Sequence, residues 1–187
     1  MSPGGHLVTT TAACAAWAAL TGSLEVTAAV AVGGFLIDVD HAIDYVAFER
    51  QRDLRPGTFL RYYIGGKVQR AVLVLHSYEL FTMLGGLAWW TDSVLLWGYL
   101  WGALMHLALD LVFNGEYTPR SISAFYSFAY RAAHGFDMPT LLALPNDLEV
   151  PRGFWAGFFR GASVPGSGQV ARRGAPSVVT PVSDPMA

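Results

Sequence analysis

The stretch that decides the fold is Leu95-Leu96-Trp97-Gly98-Tyr99-Leu100-Trp101-Gly102-Ala103-Leu104-Met105-His106-Leu107-Ala108-Leu109-Asp110. It is apolar almost throughout, yet it ends on a histidine and an aspartate four residues apart. On a helix that spacing puts both side chains on one face, with their Cβ atoms about 5–6 Å apart. An ionisable pair in such a segment is costly unless it meets partners or a metal ion. A hydrogen-bonded structural pair would account for these two residues taken alone.

The rest of the chain has the same character. It contains 187 residues, 53 % of them apolar and only 14 % charged. Soluble domains usually carry about 25 % charge, so the composition points to a membrane protein. The net charge of −2 gives no basic field for nucleic acid, and no nucleic-acid partner is expected. The single cysteine, Cys14, excludes an intrachain disulfide and a Cys-rich zinc module, and reads as a small packing residue. No Lys or Arg precedes Arg50, so no cleavable leader is expected.

Four apolar segments can be read in order. His6 precedes the run Leu7–Leu20, which as a helix is about 21 Å long. Thr21-Gly22-Ser23 breaks the run, and Ser23 suits the N-cap of a second helix from Leu24 to about Phe48. That helix carries Asp38, Asp40, His41 and Asp44 near its end. Glu49–Arg70 is the strongly charged loop, with Tyr62-Tyr63 suited to a membrane interface. A third helix is expected over Ala71–Trp90, with His76, Ser77 and Glu79 in its first half. A fourth runs from Ser93 to Phe113. The basic loop belongs on the cytoplasmic side by the positive-inside rule, and the two turns at Thr21-Gly22 and Thr91-Asp92 belong outside.

This topology brings His6, Asp38, Asp40, His41, His76, His106 and Asp110 to one depth at the cytoplasmic end. Imidazole and carboxylate are ligands of zinc, manganese or iron where thiolates are absent. The reading is therefore a site for a divalent transition metal, zinc first, with one or two ions. A two-metal arrangement suits phosphoester or amide hydrolysis. Glu79, one turn after His76, is the candidate general acid/base; pairing with an arginine is the competing reading. Arg131 and His134 read as surface residues, and Glu25 and Asp92 as helix-start charges at the opposite face.

Beyond the bundle, residues 116–160 read as a peripheral segment. It holds an amphipathic helix over Ser121–Ala133, breaks at Pro139, Pro145 and Pro151, and a short apolar piece at Gly153–Phe159 that could dock on the bundle or the interface. Residues 161–187 read as a disordered tail. The expected fold is all-α: a membrane bundle of about four transmembrane helices over residues 1–115, in the inner (plasma) membrane, with both termini cytoplasmic.

The ordered set His6, Gly34-x-x-x-Asp38-x-Asp40-His41, His76-Ser77 and Gly102-x-x-x-His106-x-x-x-Asp110 resembles the membrane-bound metal-dependent hydrolases of the YdjM/DUF457 type. More distantly it resembles the zinc-dependent phospholipase C group. The resemblance covers about residues 1–115. It implies an inner-membrane protein with a hydrolase centre in which Asp38, Asp40, His76, His106 and Asp110 ligate the metal, with His6 and His41 beside them. The chain departs from the pattern at Ile37, where the family has proline, and at Val72–Leu75, where it has a His-Arg pair. The function expected is metal-dependent hydrolysis at the cytoplasmic membrane face, on a phospholipid or other phosphoester. The alternatives are a non-catalytic membrane protein whose cluster binds metal or locks the bundle, and an anchor whose basic loop recruits a partner or anionic lipid.

Overall fold

The computed structural model describes residues 1–114, 121–142 and 148–163. Among them every regular element is helical. The only β pairings are two isolated bridges, Arg70 with Asp137 and Glu149 with Ser163. The all-α expectation is met. The tail expected from residue 161 lies almost wholly outside the described residues.

Helix α1 spans Pro3–Thr21, so it starts before His6 and includes it. Pro3 fits the first turn, where its missing N–H costs nothing. The Ser2 hydroxyl accepts from the Gly5 amide, and Gly22, at φ 63°, closes the other end in the left-handed conformation that glycine tolerates. Ser23 caps α2 (Leu24–Gly34) through the Val26 amide. Cys14 sits at the α1–α2 contact, its thiol on the Thr27 carbonyl.

The second expected helix is not continuous. It breaks at Phe35 into a 3-10 turn, Leu36–Asp38, followed by α3 (Val39–Ala47). The two halves are bent by 43°. Gly33 and Gly34 are weak helix formers. At the break, the Gly34 carbonyl accepts hydrogen bonds from the side chains of Thr10 and His106. The break turns Asp38 and Asp40 in directions that a straight helix would not allow.

The charged loop contains a helix of its own, α4 (Pro56–Ile64). The third expected helix is shorter than its apolar pattern suggests. α5 spans Tyr78–Thr91, capped by Ser77, and residues 71–77 form an irregular strap. Leu73 in this strap has φ 44°, incompatible with a helix. α6 spans Val94–Phe113 and is capped by Ser93. The amphipathic segment 121–133 divides into α7 (Ile122–Phe125) and α8 (Phe128–Ala133), because Ser127 caps α8 rather than continuing α7. α9 (Met138–Leu142) follows. α10 (Phe154–Arg160) docks on α4 and α1.

Helix α6 is the axis of the molecule. It packs most extensively on α2, and also on α5 and α1. The α2–α6 approach requires glycine. A Cβ on Gly33 would lie 2.0 Å from the Tyr99 carbonyl oxygen, and one on Gly102 would lie 2.2 Å from that of Val30. Ile37, Leu73, Phe81, Leu100, Leu107 and Phe125 pack into the core that joins α6 to the strap and to α7.

Among the described residues α6 alone is long and apolar enough to cross a membrane, and α2 with the segment 36–47 passes as a bent pair. α5, with 14 residues, is about 21 Å long, short of a hydrocarbon core of about 30 Å.

Because the α2–α6 contact has no room for a side chain, Gly102→Ala should lower the unfolding free energy by about 1–3 kcal/mol or more. Gly85→Ala, in the interior of α5 with nothing within 4 Å, should raise it by about 0.5–1 kcal/mol through helix propensity. Unfolding of the purified variants checks both.

Candidate metal centre

The centre begins at the α2–α6 contact. Because the helices touch at Gly33 and Gly102, the last carbonyl of α2 lies against the His106 ring. His106 Nδ1 is 2.9 Å from the Gly34 oxygen. A carbonyl only accepts, so Nδ1 carries the hydrogen, and when the ring is neutral its Nε2 keeps the lone pair. His106 is fully buried.

His76 is oriented in the same way by a different partner. Its Nδ1 lies 3.1 and 3.0 Å from the two oxygens of Asp40. Asp40 Oδ2 also accepts from the Leu75 amide at 3.0 Å. Asp40 therefore acts on the ring that would ligate, in the carboxylate–histidine arrangement that fixes a metal-binding tautomer.

The two free nitrogens face each other. His76 Nε2 and His106 Nε2 are 3.2 Å apart, and each is close to Asp38 Oδ1, at 3.4 and 3.3 Å. With both Nδ1 atoms donating elsewhere, the two Nε2 atoms and a carboxylate oxygen point into one small space. Ligand atoms about 2.0–2.1 Å from a tetrahedral ion lie about 3.3–3.4 Å from one another. The three separations match that spacing. The two separations to Asp38, 3.4 and 3.3 Å, are longer than a good N–H···O bond. Asp110 Oδ2, 3.4 Å from His106 Nε2, is at the same spacing on the other side.

Asp110 links this triangle to α1. Its Oδ1 receives His6 Nε2 at 2.9 Å, the Asn114 amide at 2.9 Å and the Met1 amino group at 3.0 Å. The His6 ring stacks on His106, with centroids 3.7 Å apart and planes 10° from parallel. His41 stands at the opposite edge, with Nε2 3.6 Å from Asp38 Oδ1 and its ring against Tyr63. The Nδ1 atoms of His6 and His41 are buried with no partner among the described residues. Three overlapping groups could hold an ion: His6–His106–Asp110, Asp38–His76–His106 and Asp40–His41–His76. All seven residues predicted as ligands thus fall in one cluster, contributed by α1, the 36–47 segment, the strap and α6.

Glu79 lies elsewhere. Its carboxylate receives the Ser127 hydroxyl and the amides of Phe128 and Ala129. It holds the N-terminus of α8, where an anion complements the exposed amides, and it does not adjoin the imidazoles. The expectation of a general base there is corrected on this ground.

The irregular strap is held from both sides. Asp44 accepts from the amides of Val72 and Leu73, and Asp40 from that of Leu75. Arg131 donates to the carbonyls of Val72, Leu73, His76 and Phe125. Arg131 is fully buried, not the surface residue expected. Burial lowers its pKa from the ordinary arginine value, opposed by the nearby Asp40 and Glu79 carboxylates. A guanidinium suits this position because its fork of donors serves several carbonyls at once. Sequence reading missed it because an arginine next to an aromatic stripe is ordinarily a solvated one.

A cavity of about 510 Å³ opens beside the cluster. His41, His76 and Asp110 reach its wall, and Phe113, Phe125 and Met138 help to make the rest apolar. Tyr126 also borders it and is almost completely buried. Burial raises the phenol pKa well above normal, so the group stays neutral.

Arg131→Gln should leave carbonyls of the strap unpaired and lower stability by about 1–3 kcal/mol. Glu79→Gln should cost about 1 kcal/mol by weakening the α8 contact, with metal uptake unchanged. Unfolding curves together with metal titration separate these two outcomes.

No protein-family model, no curated protein and no solved structure matches this chain.

Proposed function

We propose that this chain is an integral membrane protein of about four membrane segments. Its His/Asp cluster would hold a divalent transition metal, zinc first, at the cytoplasmic end of the bundle, and it would act as a hydrolase on a phosphoester or lipid-like substrate. The observation that carries the reading is the triangle of His76 Nε2, His106 Nε2 and Asp38 Oδ1, with sides of 3.2, 3.3 and 3.4 Å. Each imidazole in it has its other nitrogen committed to an acceptor. The resemblance to the membrane-bound metal-dependent hydrolases supports the same assignment, since Asp38, Asp40, His76, His106 and Asp110 fall at the motif positions.

Bound there, a divalent ion supplies Lewis acidity toward a phosphoryl or acyl oxygen and activation of a water molecule. The chain's own part is positional. Asp40 and the Gly34 carbonyl hold the two rings, and Asp110 ties His6 to the same face. His41 borders both the cavity and Asp38, so it meets whatever occupies the cavity. The apolar wall excludes water from the reacting group and accommodates a hydrocarbon portion. The α5 and α1 helices would complete the spans by lying against α6.

A second reading, a metal-binding or purely structural bundle without turnover, is favoured by the strap contacts of Asp44 and Arg131. These hold His76 whether or not an ion is present.

Metal analysis of protein purified in detergent tests the proposal. Wild type should carry about one or two transition-metal ions per chain, and Asp38→Ala with His106→Ala should carry none. Asp40→Asn should weaken affinity about 10–100-fold, because it loosens the ring orientation rather than removing a ligand. Wild type that takes up no zinc on titration would sink the reading. If zinc binds, a screen of phosphodiester and lipid substrates divides the hydrolase from the second reading.

A further inference from the structure

We propose that α10 and the basic 50–70 segment form one docking face for a membrane surface bearing anionic lipid headgroups, and that this face sets the mouth of the cavity at the lipid–water boundary. The proposal rests on the membrane part of the functional reading and not on the metal.

The first observation is where the charge lies. Among the described residues every lysine and arginine falls within 50–70 or at 131, 152 and 160. Arg131 is buried on the strap. The others, including Arg52, Arg61, Lys67, Arg152 and Arg160, are exposed. The helices α1, α2, α5 and α6 carry none.

The second observation is the shape of α10. It is pressed flat against its neighbours by glycine. A Cβ at Gly157 would lie 3.1 Å from Ile64 Cδ1, and one at Gly4 would lie 2.3 Å from Phe159 Cδ1. The helix therefore cannot roll inward to bury its aromatic face. Trp155 is left 67 % exposed and Phe159 50 % exposed, stacked on one another at 6.2 Å. Large exposed aromatics beside arginines are poorly placed in water and well placed among headgroups, where the rings meet acyl carbons and the cations meet phosphates.

The third observation is a matching belt at the far end. Trp89 and Trp90 close α5 at 78 % and 86 % exposure. The neighbouring α6 has 20 residues, or about 30 Å of helix, the thickness of a hydrocarbon core. The far belt has no basic residue near it among the described residues, so the two ends are chemically distinct. Only the α10 end complements anionic headgroups. Arg160 and Gly161, at the end of α10, also line the cavity. A ligand reaching the cavity past α10 would thus arrive from the headgroup layer, with its anionic group at Arg160.

The test uses the full chain with Cys14→Ala and one spin-labelled cysteine, at Trp155→Cys or at Leu104→Cys on α6. The protein is placed in phosphatidylcholine vesicles with and without phosphatidylglycerol. With phosphatidylglycerol, the label at 155 should be shielded from a water-soluble nickel chelate and sit at headgroup depth, and the label at 104 should sit in hydrocarbon. Arg152→Gln with Arg160→Gln should reduce co-purified phosphatidylglycerol several-fold. A label at 155 open to the chelate while 104 lies in hydrocarbon overturns the docking face and leaves the membrane reading standing; a soluble partner would then be the candidate cover. Identical depth and lipid retention for wild type and the double variant overturns the anionic preference. A label at 104 that is open to the chelate removes the membrane reading and this proposal together.

Discussion

The structure depends on one hydrogen bond, from His106 Nδ1 to the carbonyl of Gly34. It exists because α2 and α6 meet at glycines, and it fixes which nitrogen of His106 is free. A side chain at Gly33 or Gly102 would push the helices apart and leave the ring without its acceptor. The carbonyl belongs to the residue at which α2 breaks. The same local event ends the helix, orients the imidazole and redirects Asp38 toward it.

The second half of the centre is built on different principles. His76 is not on a helix but on a strap whose backbone follows no regular pattern. Buried backbone groups need partners, and here they find them in side chains. Asp40 and Asp44 take amides from one side, and Arg131 serves carbonyls from the other. The strap's buried backbone groups are thus paired without a helix, and the His76 ring points across at His106. Charge on Asp44 and Arg131 is used for architecture, and charge on Asp38 and Asp110 is left facing the imidazoles.

Much of the candidate centre was legible in the sequence because the polar residues stood out against apolar runs. His106 and Asp110 in α6 are the clear case, and the Ser23 cap of α2 was similarly plain. The helix reading failed where tertiary contacts override periodicity. Residues 71–77 are apolar enough for a helix, but Asp44 and Arg131, distant in sequence, take the hydrogen bonds a helix would need. The break at Phe35 depends on Thr10 and His106, which local pattern cannot reveal. Glu79 was misjudged for a related reason: its spacing from His76 suggests a shared face only if both lie on one helix, and α5 begins after His76. Two of the four expected spans, α1 and α5, do not pass alone as membrane helices: α5 begins only after the strap and has 14 residues, while α1, with 19, is built mainly of Ala, Thr and Gly and is not apolar enough.

The central claim is that two buried imidazoles are held as Nδ1–H tautomers with their Nε2 atoms turned to one point. Nitrogen-15 NMR of histidine-labelled protein, read before and after adding cadmium-113, addresses it directly. The account predicts Nδ1-protonated signals for His76 and His106 and, once cadmium is added, a one-bond cadmium coupling at both Nε2 atoms. Nε2-protonated rings, or spectra unchanged by the metal, would contradict it.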